Sequence, residues 1–423
     1  MEIVEKLFRL ETEEELRVEV DSGKLDKVTV ELKSGHAEIF GTELVINTKY
    51  QFGSGSKFAI FTYQGCTVQL SGKMEVDPYT SKETPMMIYL NTHAALEQLR
   101  LKAEEDNVSG PICMLVGPTD VGKSTVSKIL LNYAVRLGRK PIFVDLDVGQ
   151  GSISIPGTIG AMLVERPAGV EEGFSQNSPL VYHYGHSGPG HNHVLYKVLV
   201  SRLADVVRER MKANKKADVS GVVINTCGWV QAEGYDQIKH IAQAFEVDVI
   251  IVLDQERVYN VLVKDMPGFV KVVLQPKSGG VVSRNKEQRA EGRDGRIKQY
   301  FYGPRNNLFP HSFEVNFSDI KDKLYKIGAP ELPDSCLPLG MKITDNKTKL
   351  VAVHPNPRDL LNRVLAVSFT STVEDVISTN VAGFVVVTEV KMEEQKMVVL
   401  SPQPRPLPDT LLLLSDVQYV DSS

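Results

Sequence analysis

The 423-residue sequence is poor in cysteine and contains no long hydrophobic run. No apolar stretch approaches the roughly 20 residues needed to span a bilayer, and the acidic N-terminus lacks the profile of a signal peptide. The cysteines show no CxxC spacing, which argues against a zinc site built from sulfur and favours reduced thiols. We therefore expect an intracellular protein without membrane contact. The four cysteines are Cys66, Cys113, Cys227 and Cys336.

Positive charge is also scarce. The chain has 48 Lys and Arg against 53 Asp and Glu, a net charge of −5. This balance excludes a histone-like positive sheath, so a nucleic-acid partner must be held by a local basic element. With 42% hydrophobic and 24% charged residues the composition is that of an ordinary globular protein, and the length allows two or three domains.

The most informative motif is Gly117-Pro-Thr-Asp-Val-Gly-Lys-Ser124, which fits the phosphate-binding loop pattern GxxxxGK[ST]. A predicted buried strand, Pro111–Val116, precedes it, and apolar residues at helical spacing follow it as far as Gly138. Glycines let backbone N–H groups converge on phosphate oxygens, while Lys123 reaches the β- and γ-phosphates and the Ser124 hydroxyl binds Mg²⁺. We therefore predict a nucleoside triphosphate site. Its expected contacts are Gly117, Asp120, Val121, Gly122, Lys123, Ser124 and Thr125.

The pattern of strands and helices divides the chain into three parts. Short alternating runs before about residue 90 predict an antiparallel sandwich, and helical spacing between Asn91 and Glu105 predicts a connecting helix. From Pro111 to about Pro310, continuous apolar strands alternate with helices, as in a doubly wound parallel sheet. The last third is again rich in strands. The predicted fold class is α/β: an N-terminal β-sandwich (residues 1–105), a central P-loop NTPase domain with a doubly wound, mostly parallel sheet (106–312), and a small β-rich α/β domain (313–423).

Two acids and a glutamine follow the predicted strand at residues 142–144. Because parallel strands end at one edge of a sheet, these side chains should lie beside the phosphate loop. Asp147 is our candidate for a base or a Mg²⁺ ligand, and Gln150 could position the nucleophile. The alternative is that Asp145 or Asp147 only caps the following turn. Asp254, at the end of a later strand, is the second candidate for the metal role.

One segment of this acidic chain is basic. Residues 283–298 hold six basic and three acidic side chains, a net charge of +3. Arginines at this spacing could fold over a bound nucleotide, where a guanidinium stabilises charge on a transferring phosphoryl group. The alternative is a solvated helix with i,i+4 ion pairs.

Aromatic residues and histidines mark a possible substrate side. Trp229, the single tryptophan, follows a predicted strand end, where a half-exposed indole could stack on a base; burial in the core is the alternative. Four histidines surround a Gly/Pro-rich turn, but no cysteine or acid lies between them. We therefore favour a loop near the substrate over a zinc site. These histidines are His183, His186, His191 and His193.

The combined motifs resemble the polyribonucleotide 5′-hydroxyl kinase family of the eukaryotic pre-mRNA cleavage complex. The likeness lies in the phosphate loop and in residues 145–150, 225–229 and 277–280, and extends to residues 37–43 and 332–340. It implies an ATP- and Mg²⁺-dependent kinase acting on the 5′-OH of RNA. It also implies a nuclear location, a role in mRNA 3′-end cleavage, polyadenylation and tRNA splicing, and protein partners in the cleavage factor and tRNA-splicing endonuclease complexes.

The resemblance assigns roles to individual residues. Lys123 and Ser124 serve the phosphates and Mg²⁺, and Asp147 is implied to be the general base. Arg284 and Arg289 are implied to form a lid. The other implied contacts are Trp229 and Ser187 for RNA, and Glu15, Phe40 and Lys57 for the adenine and phosphates, with the register of Glu15 left open by Glu11, Glu13 and Glu14.

Two other functional classes stay open. The first is an ATP-loaded scaffold that orders a domain interface for a partner without turnover. The second is a small-molecule kinase or a GTPase, which is disfavoured because the sequence contains no Asn-Lys-x-Asp base reader.

Overall fold

The computed structural model describes residues 5–20, 27–74, 76–176, 178–329 and 346–421. Cys336 and the motif at residues 332–340 lie outside the described residues. Within the described ranges, no helix combines the length and hydrophobicity that crossing a bilayer requires.

The N-terminal domain is a sandwich of two antiparallel sheets, as the alternating pattern predicts. Its strands are β1 (Glu5–Leu10), β2 (Glu14–Glu19), β3 (Lys27–Gly35), β4 (Glu38–Ile39), β5 (Thr42–Glu43), β6 (Lys49–Gly53), β7 (Lys57–Thr62), β8 (Cys66–Gly72) and β9 (Tyr79–Ser81). One sheet has the order β1-β8-β3-β6 and the other β5-β4-β7-β2-β9. Alternate side chains such as Val28 and Val30 on β3 and Ile60 on β7 are fully buried between the sheets.

Helix α1 (Met86–Asp106) connects this sandwich to the central domain. It begins five residues before the predicted start at Asn91, because Met86 and Tyr89 extend its buried stripe toward the N-terminus. The helix ends at Asn107, whose left-handed backbone (φ 55°) is a common C-cap conformation.

The central domain contains a seven-stranded sheet of order β13-β12-β11-β14-β10-β15-β16. Its strands are β10 (Ile112–Val116), β11 (Ile142–Asp145), β12 (Thr158–Leu163), β13 (Leu180–His183), β14 (Val222–Asn225), β15 (Val249–Leu253) and β16 (Lys271–Gln275). Its helices are α2 (Lys123–Arg136), α3 (His193–Ala213), α4 (Lys215–Ser220), α5 (Glu233–Phe245), α6 (Glu256–Asp265) and α7 (Lys286–Tyr302). Six strands run in the same direction and only β12 is reversed, lying antiparallel to both β11 and β13, which confirms the predicted doubly wound, mostly parallel sheet.

The C-terminal domain is a seven-stranded sheet of order β17-β22-β21-β20-β23-β18-β19, in which only β18 and β23 are parallel neighbours. Its elements are β17 (His311–Asn316), α8 (Phe317–Ile320), β18 (Leu324–Ile327), β19 (Leu350–Ala352), α9 (Pro357–Leu360), β20 (Arg363–Ser368), β21 (Val381–Lys391), β22 (Lys396–Ser401) and β23 (Leu412–Gln418). Alternate residues serve two cores: Ala366 faces the central domain, whereas Leu365 and Val367 face the domain's own core. The alternation of side chains along the strand therefore determines which face of this sheet packs against the central domain.

Candidate phosphoryl-transfer site

The phosphate loop connects the central strand β10 to α2, as predicted. Gly122 caps the helix with φ 90°, a left-handed conformation that glycine adopts without steric cost. Lys123 is buried, and its Nζ donates to the carbonyl oxygens of Gly117 (2.8 Å) and Pro118 (2.6 Å). Burial lowers the pKa of Lys123, and attraction by Asp147 opposes that shift. Ser124 is exposed at the same helix start, while Val121 is buried beneath the loop and Thr125 is half-buried.

A buried polar cluster lies at the ends of β11 and β14. Asn225 donates from Nδ2 to Asp145 Oδ1 (2.9 Å) and to the Ser124 hydroxyl (3.3 Å). Asp145 also accepts from the backbone N–H (2.7 Å) and hydroxyl (2.9 Å) of Ser152. Burial raises the pKa of Asp145, and the nearby Asp147 adds to the rise.

This cluster fits a hard cation. The hydroxyl of Ser124 and the carboxylates of Asp145 and Asp147 are oxygen ligands of the kind that Mg²⁺ prefers. Among the described residues, Oδ1 of Asn225 is buried without a hydrogen-bond partner, so the cluster retains an unused acceptor.

Asp147 lies beside the cluster, on the loop after β11. Its Oδ1 accepts from the backbone N–H groups of Gly149 and Gln150, both at 3.0 Å, which is the turn-capping role that the sequence left open. These two bonds fix the carboxylate. In the part of the chain that the structure describes, Oδ2 of Asp147 makes no hydrogen bond, so the cap leaves one oxygen for chemistry.

The basic segment forms the start of α7 and lies over the phosphate loop. Asn285 and Gln288 begin the helix with a reciprocal capping box. Arg284 donates to Asp120 from its backbone N–H (3.0 Å) and from Nε (3.1 Å), and Arg289 donates from Nη2 (2.6 Å). Arg284 also donates from Nη1 to Gln150 Oε1 (3.2 Å).

Asp120 therefore joins the phosphate loop to both arginines. Burial alone would raise its pKa, but the hydrogen bonds from Arg284 and Arg289 outweigh burial and hold the pKa below its ordinary value. The sequence indicated only that Asp120 belongs to the nucleotide loop. The structure gives its side chain a contact with the arginine segment instead of an open position.

Glu15 of the N-terminal domain lies beside the motif at residues 277–280, where its Oε1 is 3.5 Å from the Ser278 hydroxyl. It is 2% exposed, lies 2.6 Å from the Arg17 guanidinium and accepts from Thr84 (2.7 Å), whereas Glu14 is turned back to the chain at Glu11. The side chain of Arg17 lies against Gly279 and Gly280, where any Cβ would approach it to 2.9–3.1 Å. The motif at 277–280 is therefore shaped to receive this arginine.

The two other expected adenine-side residues occupy different surroundings. Phe40 is half-buried beside α2, where its carbonyl accepts from Asn132 (2.8 Å) and its ring lies 5.8 Å from Lys128 Nζ. Lys57 pairs with Glu19 at 2.6 Å. In the β2–β7 register Lys57 is opposite Glu19, so it lies four positions, or about 13 Å, along the strand from the level of Glu15. The structure does not bring Lys57 and Glu15 side by side.

Trp229 and Ser187 lie on two loops beside the phosphate loop and the Asp147 turn. Trp229 is half-buried, and its ring lies against Gly190, where a Cβ would sit 3.6 Å from the indole. Ser187 is exposed in the same loop, and its carbonyl lies 2.7 Å from an ideal Cβ position at Gly149, next to Asp147. The structure thus brings the expected acceptor-side residues to the candidate base.

The histidine cluster is a packed loop. His183 is buried, His186 stacks on His191 with centroids 5.6 Å apart, and His186 Nδ1 lies 2.7 Å from Asp416 Oδ2. Among the described residues, no three His, Cys, Asp or Glu side chains are grouped in a way that could hold a metal ion. Asp254, the second candidate for the metal role, pairs with Lys277 at 2.8 Å.

Sequence reasoning gave no role to several polar residues that the structure places here. Like Asp147, Asn225 lies at the carboxyl end of a parallel strand. The rule that selected Asp147 could therefore also have predicted Asn225. Arg17 packs against the 277–280 motif, Thr84 bonds to Glu15, and Asn132 of α2 bonds to Phe40. Each of these contacts joins distant segments of the chain, so spacing in the sequence carries no signal for it.

A strand, a glycine-capped phosphate loop, strand-end acids and two arginines over the loop define a P-loop nucleotide-binding protein of the phosphotransfer type. Three family models match the chain. They are described as the P-loop of the mRNA cleavage and polyadenylation factor CLP1 (residues 117–303), the pre-mRNA cleavage complex II protein Clp1 (308–421) and the N-terminal beta-sandwich domain of polyadenylation factor (9–103).

Curated relatives match over nearly the whole length. The Protein CLP1 homolog of Anopheles gambiae is 63% identical over 416 residues, covering 98% of this chain and 97% of the relative. The proteins named polyribonucleotide 5′-hydroxyl-kinase Clp1 from Gallus gallus and Homo sapiens are 59% and 58% identical over 415 residues, covering 98% of this chain and 96% of each relative. The chain belongs to the Clp1 family, which confirms the resemblance.

Solved structures confirm the fold. Clp1p in a Clp1p–Pcf11p complex superposes with a TM-score of 0.85 at 23% identity, covering 99% of both chains. A second structure, which concerns the extended Pcf11p–Clp1p interface and the loss of ATP in a point mutant, gives 0.84 at 23% identity, again over 99% of both chains.

Proposed function

We propose that this chain is an ATP-dependent polynucleotide kinase that transfers the γ-phosphoryl group to the 5′-OH of RNA. The observation that carries the proposal is that a fixed carboxylate, a buried lysine and two arginines meet at one end of β10 and β11. Relatives 58–59% identical that are named polyribonucleotide 5′-hydroxyl-kinase support it. We treat residues 1–105, 106–312 and 313–423 as its three functional units.

Asp147 is the proposed general base. Because Gly149 and Gln150 hold Oδ1, Oδ2 accepts the proton of the attacking 5′-hydroxyl. Lys123, Arg284 and Arg289 stabilise the charge that spreads over the phosphoryl oxygens during in-line transfer. Gln150, held by Arg284, positions the hydroxyl. Ser124, with Asp145 and Asp147 nearby, would hold Mg²⁺, which neutralises phosphate charge when bound.

The two substrates are bound by different sets of residues. On the donor side, the phosphate loop binds the phosphates, and Glu15, Phe40 and Lys57 bind the rest of ATP. On the acceptor side, Trp229 stacks on a base and Ser187 contacts the RNA backbone. The half-buried indole beside the Asp147 loop supports this arrangement.

Incubation with 5′-OH RNA and γ-labelled ATP tests the proposal. We expect label on the RNA, no label on RNA that already carries a 5′-phosphate, and competition by unlabelled ATP. A protein that binds ATP but never labels the 5′-OH RNA would contradict the proposal. Removing Mg²⁺ with a chelator should abolish transfer.

A second candidate is an ATP-bound scaffold of the mRNA 3′-end cleavage complex. The phosphate-loop helix supports it, because Asn132 and Arg136 of α2 bond directly to the N-terminal domain at Phe40 and Glu38. Partners would be subunits of the nuclear cleavage factor and of the tRNA-splicing endonuclease. A Lys123→Ala variant that loses labelling but still recovers these subunits from nuclei separates catalysis from scaffolding; loss of the subunits favours the scaffold.

A further inference from the structure

We infer that the C-terminal domain positions the RNA-binding loop, with Asp416 as a positioning residue that reaches the acceptor through that loop. The inference rests on the proposed function and deepens it, because it concerns the site of the same acceptor. The loop in question, residues 184–192, is called the acceptor loop below.

The acceptor loop is fixed at its beginning by β23 of the C-terminal domain. The Gly185 carbonyl accepts from the Asp416 backbone N–H (2.8 Å) and from the Ser415 hydroxyl (3.1 Å). Gly185 has φ 84°, and a Cβ there would lie 2.9 Å from His183 Nε2, so a bulkier residue would displace the turn. The two donors therefore hold the loop at a position where its backbone has little freedom.

A side-chain contact adds to these bonds. His186 Nδ1 lies 2.7 Å from Asp416 Oδ2, and the His186 side chain is only 13% exposed. The His186 ring stacks almost parallel on His191, whose Nδ1 is 2.9 Å from the Gly188 carbonyl. Asp416 thus contacts both residues that precede Ser187. Through its stacking on His191, His186 also connects Asp416 to the other side of the turn.

The end of the acceptor loop is held by the same domain. Asn192 donates from Nδ2 to the Lys347 carbonyl (2.6 Å) and, through Oδ1, caps α3 at Leu195 (3.1 Å). Between the two attachments, Ser187 is exposed and Gly190 faces Trp229. The loop is therefore held at both ends while its middle is open to a ligand.

The Asp416 carboxylate makes two contacts, and the contact outside the acceptor loop provides a matched control. Its Oδ2 contacts His186 of the loop, whereas its Oδ1 accepts from Lys326 (2.9 Å) inside the C-terminal domain. Asp416→Asn weakens both contacts, and Lys326→Met removes only the second. Coulomb attraction alone predicts the opposite of our inference for Asp416→Asn, since removing a negative charge should strengthen binding of a polyanion.

The test measures steady-state kinetics and RNA binding in the full-length protein. For Asp416→Asn we expect KM for 5′-OH RNA to rise about 5-fold or more, because the close contact of the carboxylate with His186 is weakened, with KM for ATP unchanged. Lys326→Met should change neither. Ser415→Ala, which removes a different bond to the same loop, should also raise KM for RNA only. Unchanged KM for RNA in Asp416→Asn, or an equal rise in Lys326→Met, overturns the inference.

A binding measurement separates this inference from the proposed function. Trp229 is the only tryptophan, so its emission reports RNA at the acceptor loop without catalysis. Wild-type protein that is quenched by 5′-OH RNA, with weaker quenching in Asp416→Asn but no transfer in either, supports the positioning role and contradicts the kinase. Transfer by the wild-type protein, together with identical quenching in wild type and Asp416→Asn, supports the kinase and contradicts the positioning role.

Discussion

The central domain meets its two neighbours through contacts of different kinds. Toward the N-terminal domain, α2 contributes a buried polar network in which Tyr133 donates to Glu38, Tyr63 and Tyr133 share a 2.7 Å hydrogen bond, and Arg136 binds Glu38 at 2.8 Å. Burial raises the pKa of Glu38 even with these partners. Toward the C-terminal domain, the polar contacts instead hold the exposed acceptor loop at Gly185 and Asn192.

This difference distinguishes the half of the site that binds ATP, the donor side, from the half that binds RNA, the acceptor side. A buried network loses much stability when one member is removed, because the others are left without partners. It therefore fixes the orientation of the helix that carries Lys123 and Ser124 on the donor side. The polar contacts at the acceptor loop fix a local backbone position. We expect changes on the donor side to affect stability and ATP together, and changes on the acceptor side to affect RNA alone.

The largest expected effect is at Asp147, which lies where the donor side and the acceptor side meet. Asp147→Asn keeps the shape that caps Gly149 and Gln150 but removes the base, so kcat should fall by about 10²–10⁴-fold. ATP affinity, measured by calorimetry, should stay within about 2-fold, since the proposed base acts on the acceptor. Retention of wild-type kcat in Asp147→Asn would remove this residue from the mechanism.

The next effect concerns the lid. Asp120→Ala frees Arg284 and Arg289 from the carboxylate that orients them, so we expect kcat to fall about 10–100-fold, less than the loss of an arginine itself. Single-turnover labelling measures it. Lys286→Gln, which removes an exposed cation from the same helix, is the control and should have little effect. Equal losses in both variants would mean that the contacts between Asp120 and the two arginines do not account for the effect.

A pair of asparagines compares the two interfaces directly. Asn132 is fully buried and bonds to Phe40, Thr42 and Ala168, so Asn132→Ala should reduce the free energy of unfolding by about 3 kcal/mol and raise KM for ATP. Asn192→Ala removes an N-cap and the Lys347 contact, and should reduce it by about 1 kcal/mol while raising KM for RNA. Urea unfolding and steady-state kinetics measure both. An ATP effect in Asn192→Ala as large as that in Asn132→Ala would abolish the distinction.

The sequence predicted the elements whose signal is local. The phosphate loop, the strand ends and the alternation of the sandwich each occupy a few consecutive residues, and the resemblance extended them to the family. Contacts between distant segments carried no such signal. Asp120 meets Arg284 across 164 positions and Asp416 meets His186 across the domain boundary, so neither pairing could be read from spacing. The adenine side was the least predictable, because Glu15, Phe40 and Lys57 adjoin different elements.

The last expected effect is on stability, appears only at acid pH and concerns both interfaces. His93 of α1 lies beside Tyr133 on the donor side, and His183 precedes the acceptor loop. Burial lowers the pKa of each from 6.5 to about 4. Between these values the unfolded chain binds more protons than the folded one, so the free energy of unfolding falls as pH drops from about 6.5 to about 4 and is unaffected by these groups above that window. Each histidine should contribute on the order of 1–2 kcal/mol at about pH 5.

His93→Phe tests the donor-side contribution because it keeps a ring beside Tyr133 and removes the titrating group. Urea unfolding at about pH 7.5 and about pH 5 should show a smaller difference in this variant than in wild type, whereas His311→Gln, which removes an exposed histidine of β17, should leave the difference unchanged. An unaltered difference in His93→Phe would assign the acid sensitivity to groups outside the donor interface. A difference that persists until His183 is also replaced would assign the acid sensitivity to the acceptor side.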